Sequence, residues 1–319
     1  MYKLHQGCQI NMNELPSPKT YKCQIAHEGE RISLNCWNPE SSRKIRASVL
    51  IIHDICEGLN VYKEGIIKLI GDGYRVYAFH LKVDNPVYET VDDNNSFPNN
   101  FRDFTVEILQ IIAYIKNLEK GVAPFLLTQG LGALIGLINT RKHASFVRGY
   151  IACSPMFQLR QKIVPLKRLT IKTLSDFAPG FTLPSSLTPR FTSHRKVVVN
   201  GLTTKIEAKV SSREAYEYLK AMSQARKNFS KISTPTLLIC PDHNHTHKYS
   251  FLKNAIAKHK YEKQIEFINL HTKYHAIASD RSDVLETYDR YIIPWLNRII
   301  AEENVQSDSK ETSHSSNKV

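Results

Sequence analysis

One short stretch of this sequence has the residue types of a catalytic turn without its reactive member. Thr128-Gln129-Gly130-Leu131-Gly132-Ala133 joins the apolar run APFLLT, residues 123–128, to a helix-forming run that begins near Leu131. A G-x-S-x-G elbow sets its middle residue on a strained strand-to-helix turn, with small neighbours because the turn is tight. Here the strand, the helix and the last glycine of that pattern are present, and Gly130 stands in the middle. Glycine has no side chain with which to attack an acyl carbon, so covalent catalysis from this position is excluded. Taken alone, the segment also fits a plain glycine-tolerant strand-to-helix turn.

A second concentration of chemistry is Asp242-His243-Asn244-His245-Thr246-His247, followed one strand later by His271-x-x-x-His275. Alternating histidines in an extended loop can point two imidazoles the same way, so His243, His245 and His247 with His275 form a conceivable zinc cluster. The spacing matches no established zinc signature, and a surface loop rich in His and Asn is the plainer reading. No metal or other cofactor is expected. His275 reads as a residual base or polar pocket residue, and His271 as a satisfied residue at a strand end.

The elements around these residues alternate. YKCQIA (21–26) and RISLNCW (31–37) flank a turn and read as a hairpin; ASVLIIH (47–53), YRVYAFH (74–80), APFLLT and VRGYIAC (147–153) read as buried strands. An amphipathic helix is predicted over 101–119, with Phe104, Ile108, Ile111, Ile112 and Ile115 inward. After an interruption, the strands PTLLIC (235–240) and QIEFINL (264–270) and helices over 248–257 and 281–299 resume the alternation. The fold class implied is α/β, with a mostly parallel central sheet and helices on both faces. The expected organisation is an N-terminal extension (1–20), a core in two parts (21–155 and 233–300), an inserted cap (156–232) with one helix at 211–225, and a disordered polar tail (301–319).

Lys and Arg outnumber Asp and Glu 43 to 30, for a formal charge of +13. Between residues 156 and 210 there are ten basic residues against two acidic ones, so the cap carries much of that excess. A basic surface favours anionic partners. Neither a zinc-finger spacing nor a basic stacking sheet is present, so nucleic acid is not expected. The six cysteines include no Cys-x-x-Cys pair, which suggests a reducing, cytoplasmic setting. No secretion signal or transmembrane segment is expected, though peripheral contact with an anionic membrane is, and a non-classical export route stays open.

Across residues 20–300 the chain resembles the monoacylglycerol lipase and lysophospholipase L2 group of α/β-hydrolases, the serine aminopeptidase S33 type. His53-Asp54 stands for that group's early His-Gly pair, followed by Glu57, Tyr62 and Gly73-Tyr74. FRDF (101–104) matches the start of the helix before the elbow, Cys153-Ser154-Pro155-Met156 the stretch into the cap, and Thr234-Pro235-Thr236-Leu237-Leu238 the strand before the acid. The resemblance implies Gly130 at the nucleophile position, Asn244 at the acid position with Asp242 as the alternative, and His275 as the last member. It places the oxyanion region at His53, Asp54, Ile55 and Leu131. Each departure weakens ester hydrolysis: Gly130 cannot attack, Asn244 cannot stabilise an imidazolium as a carboxylate does, and Asp54 sets a negative group near the developing oxyanion.

The implied function is therefore a noncatalytic or strongly impaired lipase-like protein that binds an acyl lipid, a lysophospholipid or a protein partner. Phe157, Leu159, Ile163, Leu166 and Phe177 are the apolar residues expected near the mouth of its cap. The alternative is an active lysophospholipase or carboxylic ester hydrolase that uses a displaced nucleophile, with Cys153 and Ser154 nearest in sequence, or water activated by His275 or by metal.

Overall fold

The computed structural model describes residues 15–24, 31–54, 59–79, 101–184, 195–199, 202–206, 210–242, 248–258, 264–271, 277–278 and 284–315. Its strands in chain order are β1 (Lys19–Gln24), β2 (Arg31–Trp37), β3 (Ala47–Ile52), β4 (Tyr74–Phe79), β5 (Phe125–Gln129), β6 (Gly149–Cys153), β7 (Arg195–Val199), β8 (Leu202–Ile206), β9 (Thr236–Pro241) and β10 (Ile265–Leu270). Eight of them form one sheet in the order β1-β2-β4-β3-β5-β6-β9-β10. The two pairings at the β1 end are antiparallel, and every pairing from β4 to β10 is parallel.

Parallel strands covered on both faces must be apolar at successive positions, and β3 is buried along its whole length. Its side chains divide by parity. Leu50 and Ile52 join Leu126, Tyr150, Ala152 and Leu238 on one face, under α2 (Phe101–Leu118) and α3 (Leu131–Lys142). Val49 and Ile51 join Leu127, Ile151 and Ile239 on the other, under α1 (Lys63–Gly71) and the C-terminal helix. Between α2 and α3 the structure does not depart from the expected helix-strand-helix order.

Strand order reverses at β3, which has β4 on one side and β5 on the other. In an open parallel sheet the crevice beyond the carboxyl ends of the strands at such a reversal is where ligands bind. His53-Asp54 leave the end of β3 and Gly130 leaves the end of β5, so topology alone brings them together. α3 is buried on every side, consistent with its lack of an apolar stripe, and its first turn lies close against β3. A Cβ at Gly132 would come within 2.4 Å of the Ile52 carbonyl oxygen, so that approach requires glycine.

Two expectations need correction. Segment 156–232 holds α4 (Pro165–Phe177), the antiparallel hairpin β7/β8, and α5 (Ser212–Phe229); no hairpin was expected there. Its Val199↔Leu202 pairing leaves only Asn200-Gly201 between the strands, the dipeptide favoured in two-residue hairpin loops. Nor does α5 merely lie over the sheet, because Ala215, Tyr218, Ala221, Met222, Ala225 and Phe229 belong to the same buried cluster as α2 and α3. The second correction concerns the tail. After α6 (Ser250–Ala257), α7 (Val284–Thr287) and a π turn (Tyr288–Ile292), α8 runs from Ile293 to Ser315, through most of the segment expected to be disordered. The buried Trp295, Leu296 and Ile299 anchor the first turns of α8, and the polar stretch after residue 300 continues the helix without an apolar face. Ion pairs from Arg148 to Glu303 and from Arg298 to Glu302 hold the turn just past residue 300.

Candidate active site

Gly130 sits at the join of β5 and α3 with φ +57° and ψ −116°, a conformation that side-chain-bearing residues adopt only under strain. The turn is tied down on several sides. The Gly130 N–H donates to the Cys153 carbonyl at 3.1 Å, and the Met156 N–H to the Gly130 carbonyl at 3.3 Å, so the end of β6 holds both faces of its peptide. The buried Gln129 side chain accepts the Ala278 N–H at 2.8 Å, which links the turn to the chain beyond β10.

Asp54 reaches this turn from the end of β3. Its Oδ1 accepts the backbone N–H of Leu131 at 2.9 Å, and the residue is 2% exposed. A Cβ on residue 130 would lie 2.1 Å from Asp54 Cγ and 2.2 and 2.4 Å from its two carboxyl oxygens. The carboxylate therefore fills the space a side chain at 130 would occupy. The N–H after an elbow nucleophile is the donor that serves the oxyanion in acyl transfer. In this chain that donor already holds the Asp54 carboxyl, at the helix end where the positive pole of the α3 dipole favours negative charge. His53, also buried, presents Nδ1 to the Asp54 carbonyl at 2.7 Å; a carbonyl only accepts, so Nδ1 carries the proton.

The two other nucleophile candidates lie beside the elbow. Ser154 follows β6 with φ +47°; it is completely buried, and its Oγ has no hydrogen-bond partner among the described residues. Cys153 faces the opposite core, packed with Ile151 and Ile239. Neighbouring Cys240 is a thiol pushed well above its ordinary range by burial. At the sheet's far edge, Asp242 Oδ2 lies 2.6 Å from His271 Nδ1. The alternative acid position thus engages His271, a pairing not anticipated from sequence. Leu270 pairs with Pro241 in the parallel register, which sets the two following residues side by side. Without the register, nothing in the sequence distinguishes that pairing from one with His275. Asn244, His243, His245, His247, His275 and Ile55 lie outside the described residues. Among the described residues no three His, Cys, Asp or Glu side chains are grouped to hold a metal ion.

The cap residues divide. Phe157 and Leu159 are core, and Phe157 stacks edge-on against Phe229 at 5.6 Å. They do not stand at a surface mouth, because the chain leaving β6 runs directly under α5. Ile163 is half-buried. Leu166 is 74% exposed and Phe177 86%, and Val164, Leu169 and Phe181 are exposed with them. Lys162, Arg168 and Lys172 are exposed on the same segment, giving α4 an apolar surface set among basic side chains. Among the described residues no helix is long and apolar enough to cross a membrane.

The sheet order, the helices on both faces and the strand-to-helix elbow define an α/β-hydrolase fold. The sequence profile of the family described as serine aminopeptidase, S33, matches residues 43–282, and the chain belongs to that family. It is 24% identical over 242 residues to the monoglyceride lipase homolog of Monkeypox virus, which covers 73% of this chain and 84% of the relative. Among solved structures, the monoacylglycerol lipase of Paleococcus ferrophilus superposes with a TM-score of 0.63 at 21% identity, covering 85% of this chain and all of the other. A soluble variant of the monoglyceride lipase of Saccharomyces cerevisiae, solved with a substrate analogue, gives 0.66 at 15% identity, covering 90% of this chain and 96% of the other. The fold and family are those of lipase- and esterase-like α/β-hydrolases.

Proposed function

We propose that this protein is a noncatalytic or strongly impaired member of the monoacylglycerol lipase-like group that binds an acyl lipid or lysophospholipid at the surface of an anionic membrane. The observation that carries the reading is the elbow itself: a residue with no side chain stands at the turn from which a nucleophile would attack. Serine-based acyl transfer needs a hydroxyl at that point, and no other group on the turn can take its place. Lipid binding is supported by the lipases among its relatives and by α4. Leu166, Leu169 and Phe177 can enter an acyl layer while Lys162, Arg168 and Lys172 meet headgroups.

A second reading, hydrolysis by a displaced hydroxyl, draws support from Ser154. Its strained backbone, burial and unpartnered Oγ beside the elbow are features that collect at reactive sites. A fluorophosphonate probe, together with monoacylglycerol, lysophospholipid and short-chain ester turnover, separates the two. The expected result is neither labelling nor turnover, with lysophospholipid binding detectable by native mass spectrometry. Turnover that persists through purification and disappears in Ser154→Ala would replace the first reading with the second.

A further inference from the structure

Asp54 does more at this site than spoil it. We propose that its carboxylate is a resident ligand of the elbow, an internal oxyanion held at the N-terminus of α3, and that Gly130 is the residue that admits it. The inference deepens the noncatalytic reading, since it rests on residue 130 being the emptied side-chain position of the turn.

Three observations carry it together. The Leu131 N–H, one of the first-turn donors that α3 cannot satisfy internally, is met by Asp54 Oδ1 at 2.9 Å. The carboxylate is buried, so the bond forms away from water, where a charge-assisted hydrogen bond is strong and an unpaired carboxylate is costly. The volume it fills is the one a side chain at 130 would need, with clearances of 2.1 to 2.4 Å that no Cβ tolerates. Asp54 and any side chain at 130 are therefore mutually exclusive in this geometry. With the anion in place, the N–H that would polarise an incoming carbonyl is occupied, and the elbow is closed to acyl groups in a second way.

This arrangement predicts coupling between two residues 76 positions apart in sequence and a vacancy of known chemistry when one is shortened. Asp54→Ala removes a group the size of formate; Asp54→Gly removes one the size of acetate. The test is a thermal double-mutant cycle with Asp54→Ala and Gly130→Ala on the full chain, read with and without sodium formate against sodium chloride of equal ionic strength. The expected result is that each single variant melts lower, by about 5 °C. The double variant should melt clearly higher than the sum of the two losses, because the collision and the lost bond are one event. Formate, but not chloride, should raise the melting temperature of Asp54→Ala and leave wild type unchanged. If Asp54→Ala does not fold, Asp54→Gly with acetate makes the same measurement. Additive losses, or a formate effect equalled by chloride or seen equally in wild type, would overturn the proposal. Neither readout involves hydrolysis, so an enzymatically active wild type would defeat the noncatalytic reading without deciding this one.

Discussion

Residue 130 and residue 54 share one small volume at the elbow. Supplying a hydroxyl alone leaves the Leu131 N–H occupied and forces a Cβ into the Asp54 carboxylate. Gly130→Ser is therefore expected to lower stability and gain no fluorophosphonate labelling, whereas Asp54→Gly/Gly130→Ser gains labelling at position 130. Intact-mass spectrometry after probe treatment checks both, and labelling of the single variant at the rate of the double would show that Asp54 is no obstacle. The elbow was legible in the sequence because it is local: strand, Gly130, Leu131, Gly132 and helix are contiguous. That the carboxylate occupies the side-chain space of residue 130 was not legible, because it depends on how far β3 and β5 extend before their loops leave the sheet. Asp242 was ambiguous for the same reason, since its engagement with His271 follows from a register between β9 and β10 that no local pattern encodes.

The elements that position the site are held by short-range chemistry that can be broken one bond at a time. α5 begins at Ser211, whose side chain accepts the Glu214 N–H while Glu214 accepts the Ser211 N–H, a reciprocal cap that satisfies two orphan donors. The next residue, Ser212, donates to the Ala178 carbonyl at 2.6 Å and so clamps α5 to the end of α4. Ser211→Ala is expected to cost about 1 kcal/mol, and Ser211→Asp much less; urea denaturation of the two beside wild type measures the difference. Strands were readable because the parallel sheet demands unbroken apolar runs, and β3, β5 and β6 have little else. The hairpin β7/β8 has Asn200-Gly201 as its local signal, but its strands, RKVVV and LTTKI, are short and basic and lack the unbroken apolar run of the core strands. The continuation of α8 was missed because apolar periodicity reports burial, and a helix that has left the core has none to report.

At the scale of the whole molecule, charge and burial decide where the protein goes and when it fails. Under the proposed function, the +13 excess would favour anionic surfaces and α4 would supply the apolar contact. Binding to vesicles containing phosphatidylserine should weaken at least about tenfold in Leu166→Ser/Phe177→Ser and fall with added salt; equal sedimentation of the variant and wild type would remove α4 from the account. Buried thiols and phenols tie stability to alkaline pH, Cys36 and Tyr74 among them. Burial pushes Cys36 from 9.0 up to about 11 and Tyr74 from 10.0 up to about 12, so the folded chain binds both protons more tightly than the unfolded one. Their contribution is complete below pH 9, declines between 9 and 11 through Cys36 and between 10 and 12 through Tyr74, and is gone above that. Urea midpoints across this range should fall, and Cys36→Ala should flatten the earlier part; a midpoint unchanged from pH 9 to 11 would contradict the burial of Cys36. The fit between Gly130 and Asp54 also makes the two positions answer to each other: with the carboxylate where it stands, residue 130 can carry a side chain only if Asp54 moves or is shortened.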